Sequence, residues 1–430
     1  MTSRHPNISI LLNKLDEPKT FKAMNYINTQ RLKNNQCMHI PQIQNTTLDV
    51  RNILSKDAQN YLLIPFLLVG TRDFKARIGT FNDPWGSQIS PLYSAPPLKF
   101  INDSLADLAD RRAIELIKNA KDTNRNIIVM WSGGIDSTFV LTAILKNISE
   151  ADQELITVLL TTHSISDNPD FYFKFLSQNK KIRIMSAANF TIDNNLLDKN
   201  MILHGDPGDG IFGPSSGMYK FFSENQTHLE PWRKHLKTIA QQFEPTIEKD
   251  MFVQPGIGSW FTNIITQTLE ESGYADRVST VADWYWWSYF NFKWAGVCTY
   301  PLHNQILGKT HKGITEDNHK FYANNIFFHT SEFQHWSYSN LKELIGVDVF
   351  KTHKLEAREY IYEFDENFQY FSRKRKTSAP PPNNRQQKSS LTGHDHNWKP
   401  IYGDRPSEKY VMTTLLRKYD ISKKNNINNI

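Results

Sequence analysis

The sequence predicts an α/β protein built on a doubly wound parallel sheet, with a helical C-terminal part and a smaller N-terminal domain. Three observations predict it. Between Asn126 and Leu203, short apolar runs alternate with stretches of helical or polar pattern. The runs themselves (NIIVMW, LITVLL, IRIM and MIL) lack the in–out alternation of a half-exposed strand, so they read as strands buried on both faces. The first run passes through a Ser-Gly-Gly turn straight into a helical pattern, which is the opening of a strand–helix–strand unit.

Residues 1–100 are irregular in pattern and form an N-terminal domain to which the sequence assigns no role. Within them Tyr61–Gly70 (YLLIPFLLVG) reads as a buried strand, and Pro65 suits an edge or a bulge. Phe81–Pro97 is dense in Pro, Gly and Ser and reads as a boundary. A helix follows, because Leu105, Leu108, Ala109, Ala113, Leu116 and Ile117 share one face and Asn102, Asp103 and Ser104 offer caps. The strand from Asn126 leads to a helix over DSTFVLTAILKN that is apolar on most sides. The strand Leu155–Leu160 precedes a polar loop and a helix near Asp170–Ser177. Ile182–Met185 and Met201–Leu203 are the next strands. Residues 225–370 are helical and aromatic, with Trp284, Trp286, Trp287 and Trp294 in one short stretch. The main domain is therefore 101–378, and 379–430 is a linker followed by a basic, Asn-rich tail.

Composition excludes several classes. The 430 residues carry 50 Lys and Arg against 44 Asp and Glu, a net charge of +6 that permits an anionic ligand without marking a nucleic-acid protein. Two cysteines, Cys37 and Cys298, are too few for a disulfide framework or a Cys-built zinc site. The 26 Phe, 17 Tyr and 10 Trp supply ample core material, which excludes wholesale disorder. The opening MTSRHPNISI lacks the apolar run of a secretory signal, and YLLIPFLLVG is too short to span a bilayer. A soluble, cytoplasmic protein without a membrane partner is expected.

The chemistry concentrates in Ser132-Gly133-Gly134-Ile135-Asp136-Ser137. Two glycines permit a tight turn and remove side chains that would obstruct a phosphate. The turn and first helical amides then face the anion, where the helix dipole favours negative charge. Ser132, Ser137 and Thr138 add hydroxyls. Asp136 is a carboxylate beside a phosphate site, which makes sense with a divalent cation between them, and Mg²⁺ is the usual one. The bland alternative is a Gly-Gly turn with a Ser/Asp helix cap.

SGGIDS after NIIVMW resembles the pyrophosphate-binding loop of the N-type ATP pyrophosphatase (PP-loop) superfamily. The resemblance implies an adenine nucleotide alpha hydrolase-like fold that cleaves ATP between the α and β phosphates. His204-Gly205-Asp206-Pro207-Gly208-Asp209-Gly210-Ile211-Phe212-Gly213 resembles the G-E-G-x-D-E-x-F-G-G segment of the asparagine synthetase family. By that match Gly205 belongs to the nucleotide site, Asp209 shares Mg²⁺ with Asp136, and Asp206 stands where the family has its catalytic glutamate. Pro207, Gly210 and Pro214 depart from the pattern. Downstream, Thr299–Asn304 resembles the family's R-x-P-F-L-D segment. Lys354-Leu-Glu-Ala-Arg358 and Arg373–Lys376 resemble its K-x-x-L-R and R-x-K. Lys354 would then face the α-phosphate and the leaving pyrophosphate, with Arg358 nearby.

The family's glutaminase domain needs a cysteine directly after the initiator Met, where this chain has Thr2, and the residues ahead of the loop are too few for that domain. The resemblance therefore implies an AMP- and pyrophosphate-forming amide ligase using ATP and Mg²⁺. Its substrates would be a small-molecule carboxylate and an amine or ammonia, the amine coming from solution, from the substrate itself or from a partner protein. Two alternatives stay open: an RNA- or nucleoside-modifying PP-loop enzyme, and a catalytically degenerate nucleotide-binding relative.

Overall fold

A computed structural model describes residues 77–78, 94–187, 190, 192–213, 227–243, 256–294, 296–298, 302, 314–341 and 354–373. Of the segments singled out above, Cys37, Tyr61–Gly70, residues 81–93, Pro214, 374–376, 379–430 and all of 299–304 except Leu302 lie outside the described residues. The described residues fall into two compact units. One draws on Lys99–Phe212, Asn304–Asn340 and Phe350–Ile430, the other on Met1–Leu98, Gly213–His303 and Leu341–Val349.

The first unit is α/β. Its opening helix α1 (Leu105–Asp122) is capped by Ser104, whose side chain accepts from the Asp107 amide. All six residues of the expected apolar face are buried. Strand β1 (Asn126–Met130) leads into α2 (Ile135–Asn147), then β2 (Ile156–Leu160). The short helices α3 (Thr162–Asp167) and α4 (Pro169–Phe171), the latter continued by a wide turn through Leu176, lead to β3 (Arg183–Ser186). Helix α5 (Asn194–Lys199) returns the chain to β4 (Asn200–His204), and α6 (Gly208–Ile211) follows. Helices α10 (Glu316–Asn324), α11 (Ser331–Ser339), α12 (Leu355–Asp365) and α13 (Phe368–Arg373) belong to this unit as well.

The four strands form one all-parallel sheet in the order β3-β2-β1-β4. Construction thus grows from β1 toward β3 and then reverses to the other side of β1. In parallel sheets that reversal is where ligands bind, beyond the carboxyl ends of the strands. Met130 pairs with His204, so β1 and β4 end at the same level and release their loops side by side.

Burial explains three of the four apolar runs. The expectation of burial on both faces fails for IRIM, because β3 is the edge strand of the sheet, exposed at Arg183 and only half-buried from Ile184 to Ser186. Every residue of β2 is buried, and Ile127, Val129, Met201 and Leu203 are fully so. Over them α2 is buried around most of its circumference, and Phe139 packs against the rings of Phe212, Phe327, Phe328 and Tyr360.

The second unit is helical where described, with α7 (Leu236–Phe243), α8 (Ile257–Glu271) and α9 (Val281–Ser288), which continues through a wide turn to Lys293. Trp284, Trp286, Trp287 and Trp294 are all fully buried there, so the tryptophan cluster is core. Among the described residues no helix is long and apolar enough to cross a membrane.

Candidate functional site

The β1 turn is folded tightly onto its own hydroxyls. Gly133 adopts φ +76°, and a β-carbon there would lie 2.2 Å from the Ser164 carbonyl oxygen, so both the conformation and the space require glycine. The Gly134 amide donates to Ser132 Oγ at 3.3 Å, and Ser137 Oγ donates to the Gly134 carbonyl at 3.2 Å. Ser132 and Ser137 lie 2.9 Å apart. Each hydroxyl has one proton, so the Ser132 hydroxyl donates to Ser137 and the set closes into a ring. Ser137 also accepts from the Ser132 amide at 3.0 Å.

Thr138 is turned inward. It is fully buried, and its hydroxyl lies 3.0 Å from the Trp131 indole nitrogen and 3.4 Å from the Tyr370 hydroxyl, which also donates to the Gly133 carbonyl at 3.2 Å. The side chain of Thr138 supports the turn from beneath, while the start of α2 has only Gly134 as its N-cap and no side-chain cap from it. The positive end of α2 therefore lies behind the turn.

Two more glycines bring the β4 loop against this turn. A β-carbon on Gly205 would lie 2.6 Å from the Ser137 nitrogen, and one on Gly208 would lie 2.6 Å from the Asp136 carboxyl carbon. Between them the Asp206–Pro207 peptide is cis. The approach carries Asp209, in the first turn of α6, to the Asp136 side of the loop.

Lys354 joins the two carboxylates. Its Nζ lies 2.6 and 2.5 Å from the two Asp136 carboxylate oxygens and 2.7 Å from Asp209 Oδ1. The Lys354 side chain is 4% exposed, against 22% for Asp136 and 17% for Asp209, so water screens the triad weakly. Lys354 is the N-cap of α12 and adopts a left-handed φ of 52°. Such a conformation costs a non-glycine residue about 1–3 kcal/mol and persists where the surroundings enforce it.

The remaining candidates are placed as follows. The Arg358 amide bonds the Lys354 carbonyl at 3.0 Å, and its side chain donates to the Phe371 carbonyl at 2.6 Å, tying α12 to α13. The Asp206 side chain is 49% exposed, and its amide donates to His204 Nδ1 at 3.2 Å. That bond makes Nδ1 the acceptor and leaves the ring proton on Nε2, which lies 2.7 Å from the Tyr322 hydroxyl. Burial pushes the His204 imidazole down to about 4, so it is neutral at pH 7.

The structure thus brings Gly133, Gly134, Asp136, Ser137, Gly205, Asp209 and Lys354 together. The sequence assigned no role to Tyr322 or Tyr370, nor to His204 and Trp131, which stand at the edges of the two motifs. The aromatic residues carry no motif, and only the buried polar contacts identify them. Among the described residues no group of three or more His, Cys, Asp or Glu side chains gathers as a metal site, so the cation donors here are two carboxylates. A cavity of about 570 Å³ opens at the other ends of the strands, beside Lys121, Arg125, Asp152 and Lys199. It lacks the glycine turn and the paired carboxylates. Compared with known proteins, the chain matches no family model and no curated sequence.

Proposed function

We propose that the chain is an ATP-dependent amide ligase that forms AMP and pyrophosphate, resembling the synthetase half of the asparagine synthetases. One observation carries this reading: Asp136 and Asp209 converge on a single cationic point beside the Gly133–Gly134 turn, where the sheet reverses between β1 and β4. The strand order likewise supports a doubly wound, adenine nucleotide alpha hydrolase-like fold.

The donor set fits Mg²⁺, a hard cation that takes one or two carboxylates and completes its shell from phosphate and water. When bound, Mg²⁺ supplies charge compensation for the phosphate oxygens and the departing pyrophosphate. Asp136 and Asp209 would hold it. The Gly133–Gly134 turn and the first amides of α2 would hold the β- and γ-phosphates. Lys354 would offset charge at the α-phosphate.

A substrate carboxylate oxygen bonds to the α-phosphorus as the bond to pyrophosphate breaks. An amine nitrogen then bonds to the acyl carbon, AMP leaves with the bonding pair, and Asp206 takes the surplus amine proton. Asp206 suits this because its carboxylate is half exposed while His204 holds its backbone. The amine comes from solution, from the substrate itself or from a partner protein.

The test is a panel of carboxylates and amines incubated with ATP, Mg²⁺ and the full chain. Pyrophosphate and AMP are expected in equal amounts with the right pair, and Asp136→Ala should abolish both while leaving the circular dichroism unchanged. Formation of ADP, or turnover retained by Asp136→Ala, overturns the reading.

A further inference from the structure

Resting on that reading of the site, we propose that Lys354 is the resident cation of the ligand-free protein. Its ammonium holds the divalent-cation position between Asp136 and Asp209, so a divalent cation enters only in company with a polyanion that draws the ammonium away.

The geometry is that of an occupied cation site. An ammonium has three N–H donors, and three carboxylate oxygens lie within 2.5 to 2.7 Å of this one. A magnesium ion bound by the same oxygens would need the volume that Nζ fills. Two carboxylates and one ammonium carry a net charge of about −1 where the carboxylates alone would carry about −2, so the ammonium offsets much of the attraction for a dication in a poorly screened setting.

The Asp136 carboxylate has little room to retreat toward the β4 loop. Gly205 and Gly208 press on the backbone and side chain of Asp136, at separations a β-carbon would not tolerate. The Lys354 backbone is likewise fixed, left-handed at the head of α12, while its ammonium rides on a four-carbon arm. What can change is the partner of the ammonium. A polyphosphate offers it oxygens of higher charge, and once it swings to them the carboxylate oxygens become ligands for the metal. Cation and polyphosphate binding are then positively coupled, typically by about 5- to 150-fold for such linkage.

The experiment is a calorimetric titration with Mn²⁺ alone, on the full chain without nucleotide. The wild type is expected to show no saturable site. Lys354→Met is expected to gain one, about tenfold or more tighter than any wild-type binding, and Asp136→Asn in the same chain should remove it. A Lys354→Met protein that melts like the wild type yet gains no Mn²⁺ site overturns the proposal. If Lys354→Met does not fold, the wild type decides: a single Mn²⁺ site abolished by Asp209→Asn overturns the proposal, and its absence supports it. The two readings fail separately. A chain that never releases pyrophosphate but gains Mn²⁺ on Lys354→Met loses the ligase assignment alone. One that releases pyrophosphate and binds Mn²⁺ at these carboxylates unaided loses the resident cation alone.

Discussion

Gly208 stands so close to Asp136 that a β-carbon on it would lie 2.6 Å from the carboxyl carbon and 2.9 Å from Cβ. The two residues follow neighbouring strands of the sheet, and their contact sets where the Asp136 carboxylate points. Gly208→Ala is expected to displace that carboxylate from Lys354 and to lower stability by about 1–3 kcal/mol, the usual cost of overpacking. Urea unfolding measures it, and a midpoint equal to the wild type would show that the carboxylate yields freely.

The two glycines of the β1 turn should behave differently. Alanine at 133 must adopt φ +76° and meet the Ser164 carbonyl. Gly134 has φ −73°, and a β-carbon there would meet only the Ser132 hydroxyl, at 3.2 Å. Gly133→Ala should cost at least about 2 kcal/mol more than Gly134→Ala. Paired denaturant curves give the difference directly, and equal costs would contradict the described turn.

Thr138→Val keeps the shape of the side chain and deletes its hydroxyl. The Trp131 indole then loses its acceptor in a buried setting, at an expected cost of about 1–3 kcal/mol. Because the hydroxyl faces Trp131 and Tyr370, nucleotide affinity should be unchanged once the protein is folded. Affinity lost without any loss of stability would place the hydroxyl on the ligand instead.

His204 makes stability depend on acid. The unfolded chain takes up a proton near 6.5, which the folded imidazole refuses until about 4. Its contribution is therefore complete above pH 6.5 and is lost as the pH falls toward 4, by about 3 kcal/mol in all. Unfolding free energies of wild type and His204→Gln across that interval test it. The variant should lose this part of the slope, and parallel curves would assign the acid sensitivity to other groups.

Much of the sheet is legible in the sequence because parallel strands are buried on both faces. Ile127–Val129 and Met201–Leu203 carry no polar residue, and Ile156–Leu160 carries only Thr157, itself buried. Helix α1 was equally plain, since its apolar face and its Ser104 cap are both local signals. Helix α3 was not. Its six residues, THSISD, read as polar loop, and a reciprocal pair of hydrogen bonds between Thr161 and Ser164 defines its start. The same division holds at the site. Gly133, Gly134 and Asp136 sit within one short motif, and Asp209 in another. The bond from His204 to Tyr322 joins residues 118 apart, and Lys354 reaches Asp136 across 218, so only the fold brings those atoms together. No local pattern reports that a lysine fills the space between two carboxylates.

The pairing of Met130 with His204 has a consequence for how this site can work. The loops bearing Asp136 and Asp209 leave adjoining strands at the same rung, so their separation is inherited from the backbone ladder. Lys354 hangs instead from the N-cap of a helix, on a four-carbon arm. The site is thus a fixed jaw with one hinged pin, and any ligand that opens it has to work against the pin.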